Sequence, residues 1–130
     1  MTYSREKGIQ IFEEIYGAEA SQGLQGYMAS GAFGSEYAQW STDLAFGTVW
    51  ASEGLERKLR SCAVIGMLIG MRSSEELSYH AKMGTANGLS RKELEEIVNT
   101  AVPYCGLPAA NVAKAAFLRA FKEMDEDAVK

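Results

Sequence analysis

The sequence predicts an all-α protein, and three observations carry that expectation. Apolar residues recur at helical spacing, Gly, Pro and capping serines punctuate those runs, and no segment shows the strict alternation of a strand. At 130 residues, 47% of them apolar, the chain suits one compact domain spanning 1–130, and general disorder is not expected.

Taken in order, Ile9, Phe12, Ile15 and Tyr16 fall on one helical face, and Gly17 stands where that helix should stop. Residues 18–34 are rich in Gly, Ala and Ser without a clear period, which reads as a loop or broken helix in which Tyr27 and Phe33 are still buried. From Ser35 a helix is expected to end near Trp50, with Tyr37, Trp40, Leu44 and Thr48 on one face and the slim Ala38, Ala45 and Gly47 on the other. ASEGLERK turns the chain at Gly54. LRSCAVIGMLIGM then follows, apolar almost all round, as a helix buried on several sides should be.

Ser73 and Glu76 match a capping box, and Gly88 marks the far end of the helix they open. Ser90 and Glu93 repeat the signature, after which Leu94, Ile97, Val98 and Ala101 form a regular stripe. Pro103 lies inside that pattern and should kink or end the helix a turn early, re-aiming Tyr104. Gly106 and Pro108 separate it from a last helix of about Ala109 to Met124, followed by a fraying acidic tail. The helix from Leu59 to Met71 carries Ser61, Cys62, Ala63, Gly66 and Gly70. It is too apolar to be covered within so short a chain, so oligomer contacts are expected over part of it.

Composition narrows the function. Thirteen Lys and Arg against seventeen Asp and Glu, a net charge of -4 and no long basic block disfavour nucleic acid as a partner. The charged N-terminal segment lacks the apolar core of a signal peptide, and the apolar run from Cys62 to Met71 is about half a membrane span. A cytoplasmic protein without membrane contact is the expectation. A single histidine cannot build a multi-histidine metal site. Cys62 and Cys105, 43 positions apart, make no CxxC pair and read as reduced thiols in apolar surroundings. No phosphate-cradling Gly-rich loop, GxSxG elbow or dinucleotide fingerprint is present, which points away from a cofactor.

His80 is the first candidate for chemistry, because only its unperturbed pKa lies near neutrality. It follows Glu76 by four positions, so that carboxylate either orients a functional ring or satisfies a structural one. Glu56 and Arg60 are also four apart. They read as a helix-face ion pair or, alternatively, Arg57 and Arg60 turn inward to grip an anionic substrate in a bidentate fork. Phe33, Trp40, Phe46, Trp50 and Tyr104 are the large aromatics nearest these polar groups. Most suit a core, with Trp50 beside the charged turn as the best exception.

Four pieces in order carry a resemblance: G-L-E-R-K-x-R, the E-E-L-x-x-H ending at His80, the Asn87-Gly88 pair, and Y-C-G-x-P-A-A-N from Tyr104 to Asn111. From about Ser35 to Phe121 the chain resembles the carboxymuconolactone decarboxylase family. The resemblance implies an alkylhydroperoxidase D-like helical subunit in a homo-oligomeric ring, typically a hexamer built as a trimer of dimers. The thiol-peroxidase branch of that fold places two cysteines where this chain has Ser73 and Glu76, so its nucleophiles are missing here.

What the resemblance implies instead is cofactor-free, metal-free decarboxylation of 4-carboxymuconolactone to the enol-lactone of 3-oxoadipate in aromatic catabolism, the β-ketoadipate pathway. Loss of CO2 leaves electron density that spreads into a conjugated carbonyl, so the small anionic substrate is its own electron sink. On that implication His80 donates the proton to carbon and Arg57 and Arg60 bind carboxylate and polarise the lactone carbonyl. Glu56 tunes or positions them, and Trp50, Phe33 and Tyr104 supply an apolar wall. A cofactor-free isomerase, cyclase or dehydratase of specialised metabolism, or a non-catalytic ligand-binding oligomer, is the alternative.

Overall fold

The computed structural model describes the backbone of residues 2–129 and side chains from Ser4 to Val129. Its elements are α1 (Thr2–Tyr16), α2 (Ala18–Ala29), α3 (Ser35–Ser41), a π-helical continuation (Thr42–Trp50), α4 (Arg57–Met71), α5 (Ser74–Ala86), α6 (Arg91–Cys105) and α7 (Leu107–Ala128). The protein is all-α, and the described residues include no strand. They form two compact units, one ending at Glu56 and one beginning at Arg57. No described helix is long and apolar enough to cross a membrane.

In the first unit α1 packs along the π-helical segment at backbone distance. A methyl on Gly47 would lie 1.9 Å from the carbonyl oxygen of Ser4, and one on Gly8 would lie 2.2 Å from that of Thr42, so only glycine fits at either position. Arg5 grips Asp43 across the same contact with two bonds of 2.5 and 2.9 Å, and the guanidinium holds this carboxyl below the usual carboxylate range. Phe12, Tyr16 and Phe46 stack at the far end, with Phe12 edge-on to Phe46 at 5.2 Å. The slim face is therefore the packed one, and Tyr37, Trp40, Leu44 and Thr48 point outward.

Two expectations for this unit are overturned. Residues 18–29 form a helix, because Ala, Gln and Leu favour one, and Ser21 and Met28, two turns apart, give it a buried side. Gly23 and Gly26 stand in open space on it, so they cost propensity without disturbing packing. Tyr27 and Phe33 are not buried: the Tyr27 hydroxyl donates to the Phe33 carbonyl in the turn, and the Phe33 ring projects wholly into solvent.

The second unit is a four-helix core in which α7 packs on α5 and α6, and α4 packs on α5. Ile65, Ile69, Leu77, Met83 and Leu94 are sealed from water, each aliphatic side chain contributing about 1.5–3 kcal/mol. Small residues on α7, Ala109, Ala113, Ala116 and Ala120, let its neighbours approach. α4 buries only Ser61, Ile65 and Ile69. Leu59, Ala63, Gly66, Met67, Gly70 and Met71 face outward, so within the subunit this helix is covered on one side rather than several.

Two successive helices end in the same way. After α4, Arg72 N–H bonds the Ile69 carbonyl and Ser73 N–H that of Leu68. After α5, Gly88 N–H bonds Thr85 and Leu89 N–H bonds Gly84. The left-handed position of this motif is glycine in the second case and Arg72, at φ 55°, in the first.

The Ser90 capping box forms as expected, with both reciprocal bonds at 3.0 Å. The one expected at Ser73 does not: Ser73 is the N-cap residue but its hydroxyl bonds no backbone N–H, and the neighbouring Ser74 hydroxyl accepts from Arg119 instead. Pro103 does not end α6 early: the helix carries it and runs on to Cys105, without a hydrogen bond from this position to the carbonyl four residues before it. α7 also outruns its expected end near Met124. Lys82 pairs with Glu123, and Arg91 pairs with Asp125 through both terminal guanidinium nitrogens while lying 4.5 Å over the Phe121 ring. These contacts hold the last turns that composition alone suggested would fray.

Candidate functional site

His80 sits at the middle of α5, one turn after the buried Leu77 and one residue before the buried Ala81, which fixes its helix against the core. Its Nδ1 is sealed from solvent and has no hydrogen-bond partner, while the ring as a whole is only half-buried. Burial pushes the imidazole below its ordinary value of 6.5, and the charge of Glu76 only partly opposes this. Glu76 does not hydrogen-bond the ring, so the arrangement of a structural histidine satisfied by its neighbouring carboxylate is not the one present. At neutral pH His80 rests uncharged.

Arg57 and Arg60 occupy the first turn of α4 and are half-buried. The register between their helix and that of His80 is set by Asn87, whose amide donates to the fully buried Ser61 hydroxyl at 3.0 Å. His80 lies seven residues before Asn87 on α5, about 10 Å along the axis. Both arginines therefore sit toward the Asn87 end of the α4–α5 pair, and neither hydrogen-bonds His80.

The remaining expected site residues fall elsewhere. Glu56 is exposed in the turn before α4. Trp50 is buried at the end of the π-helical segment in the first unit, whereas Phe33, fully exposed, has no wall to contribute to within that unit. Tyr104, exposed on the last turn of α6, lines a cavity of about 320 Å³ with Cys62, Gly66, Ile97, Thr100, Ala101 and Cys105. A larger cleft of about 450 Å³ lies between α6 and α7 over Phe117 and Phe121, with Lys114 at its rim, and does not include His80. Among the described residues no three His, Cys, Asp or Glu side chains gather as a metal site.

Sequence reasoning overlooked the Ser61–Asn87 bond. Its signal was faint: one serine near the start of an apolar run, and an asparagine that already had a role in ending α5.

The candidate site in this all-α subunit thus comprises a sealed, unpartnered histidine nitrogen on α5 and an arginine pair on the adjoining α4. The chain belongs to the carboxymuconolactone decarboxylase family, whose sequence pattern it matches over residues 35–125. It is 33% identical over 105 residues to a nitrosuccinic acid decarboxylase of Metarhizium robertsii, covering 80% of this chain and 71% of that one. It is also 28% identical over 120 residues to the 4-carboxymuconolactone decarboxylase of Acinetobacter baylyi, covering 92% and 87%. Decarboxylation, a lyase activity, is the kind of reaction these relatives support.

Proposed function

We propose that the protein is a decarboxylase of small polyanionic acids in which the leaving carboxylate sits on a carbon next to an electron-accepting group. The names of the two relatives support this class. Nitrosuccinate offers a nitro group, and carboxymuconolactone a conjugated lactone carbonyl, to receive the electron pair of the broken C–C bond. CO2 leaves, the pair rests on the acceptor oxygen, and a proton must then reach carbon. No electron sink beyond the substrate is required. A lactone of the 4-carboxymuconolactone type, with its 3-oxoadipate enol-lactone product, is the first substrate to test.

The observation that carries this reading is the unpartnered, desolvated His80. A histidine kept neutral at rest takes up a proton when a polyanion arrives beside it, because the negative charge favours the imidazolium. Nδ1 is sealed, so Nε2 is the nitrogen that meets substrate and returns the proton to carbon. Arg57 and Arg60 hold the carboxylate that is retained, Glu56, next in sequence to Arg57, adjusts them, and Tyr104 limits water. The exposed apolar side of α4 supports association of copies, and a hexamer arranged as a trimer of dimers is the assembly we propose.

The test is CO2 release from 4-carboxymuconolactone and from nitrosuccinate by the wild type and by His80→Asn. Loss of about 10²- to 10⁴-fold in the variant, with assembly and helicity unchanged, supports the proton-donor role. Turnover of neither acid at high protein concentration removes the decarboxylase assignment in favour of proton shuttling without CO2 loss or of ligand binding alone.

A further inference from the structure

On α7, Phe117, Leu118 and Phe121 follow Lys114 by three, four and seven positions, so the four side chains share one helical face. Helix α6 lies across from them and runs antiparallel: Arg91 at its start pairs with Asp125 near the end of α7, and Gly106 joins the two helices at the other end. Together they border a cleft of about 450 Å³, within the range of small-molecule sites. Its floor is apolar. Phe117 and Phe121 stand 6.3 Å apart and are tilted by 37°, with Val98 and Leu118 beside them. The Arg91 guanidinium, 4.5 Å over Phe121 and fastened to Asp125, holds that ring in place.

The rim is cationic, on a chain whose net charge is -4. Arg91, Lys92 and Lys114 border the cleft against one carboxylate, Glu95. Arg91 is engaged by Asp125, and Lys92 by Glu95 and Glu96. Lys114, in contrast, makes no ion pair with any described residue. The antiparallel register brings Asn99 to the Lys114 end of the cleft, and its amide makes only a 3.4 Å bond to Glu96. This end offers an ammonium and an amide to an anion, and from Lys114 to Phe121 the apolar floor extends about 10 Å along α7.

We propose that this cleft is a binding site for an aromatic monocarboxylate, separate from the His80 site. The carboxylate rests on Lys114 and Asn99, and a flat body of two fused rings lies over Phe117 and Phe121. A rigid ring system suits this floor better than a flexible chain, because offset and edge-on ring contacts add to area burial and little conformational freedom is lost on binding. A second carboxylate gains nothing, since Lys114 is the one lining cation not already engaged and Glu95 repels it. Neither His80 nor the arginines of α4 line the cleft, so the proposal does not rest on the decarboxylase reading.

The test titrates 2-naphthoate into the intact wild-type protein by isothermal calorimetry. Saturable binding is expected, and Lys114→Gln should weaken it about fivefold, as loss of a well-placed exposed ion pair does. 2-Naphthamide, which lacks the charge, is expected to bind both proteins alike. Leu118→Glu sets a carboxylate into the cleft at an exposed position, so helicity by circular dichroism should persist while binding is lost. Arg57→Gln, on the other site, should leave the affinity for 2-naphthoate as it is. No binding at high probe concentration, an affinity indifferent to Lys114→Gln and Leu118→Glu, a loss in Arg57→Gln instead, or tighter binding of decanoate than of 2-naphthoate overturns the proposal.

Discussion

The amide of Asn87 donates to the hydroxyl of Ser61 at 3.0 Å, linking the end of α5 to the second turn of α4. Ser61 is completely buried and Asn87 half-buried, so neither group finds water as a ready substitute. Ser61→Ala is expected to cost about 1–2 kcal/mol, part of it the penalty on the amide left behind. Asn87→Ala should cost a similar amount. The double variant should be less destabilised than the sum by about 1 kcal/mol in urea unfolding, as a direct pair requires. Full additivity would mean that the bond contributes nothing.

His80 gives a pH dependence whose sign follows from its lowered pKa. Between the folded pKa and the ordinary value of 6.5, the unfolded chain binds more protons than the folded one. The histidine's penalty is absent above about 6.5 and grows as pH falls toward the folded pKa. Unfolding free energy should therefore rise with pH across that window, and His80→Asn should remove that part of the slope. On the catalytic side, a proton-delivering imidazolium makes kcat/KM fall as pH rises through the folded pKa, below neutrality. A kcat/KM that instead rises through this range would assign His80 the role of base.

Gly47 decides how closely α1 can lie. A methyl there would stand 1.9 Å from the carbonyl oxygen of Ser4, which is backbone and cannot swing aside. Gly47→Ala is expected to destabilise by about 3 kcal/mol, the upper end of overpacking, despite the better helix propensity of alanine. Gly23→Ala on α2, where nothing lies within 4 Å, is the control and should be neutral or stabilising.

Such contrasts explain what was legible beforehand. Punctuation was legible where a single residue determines backbone geometry: Gly17, Gly88 and Gly106 all have positive φ, and the Ser90 box forms. Helix α2 was not, because its buried side consists of a serine and a methionine two turns apart and leaves no hydrophobic period. Which face of the next helix packs was not legible either: Tyr37, Trp40 and Leu44 have the strong period, yet glycine-close packing uses the other side. In the candidate site the residue types were legible. The register that Ser61 and Asn87 impose between His80 and the arginines was not, since it is a contact across two helices.

Arg72 occupies the left-handed position that closes α4, where Gly88 stands after α5. A side chain there costs about 1–2 kcal/mol, against which glycine loses about 0.5–1 kcal/mol in the entropy of the unfolded chain. Arg72→Gly should stabilise by about 0.5–1 kcal/mol, raising Tm by about 2–4 °C in calorimetry. Arg72→Ala should do neither, because it keeps the Cβ that the conformation disfavours.

Gly66 lies mid-helix on the outward side of α4, beside Met67 and near Ala63 and Gly70, and a Cβ there meets no atom of its own subunit within 4 Å. Helix propensity alone makes Gly66→Ala stabilising by about 1 kcal/mol. Association of copies through this side, as proposed, lets a neighbouring helix approach where the glycine leaves its backbone bare. The same methyl then intrudes on the contact. The expected outcome is opposite in sign at two protein concentrations: a higher Tm when the subunits are dilute and apart, and a weaker assembly by sedimentation velocity when they are concentrated. A variant that gains stability without any loss of association would show that copies do not meet across this part of α4.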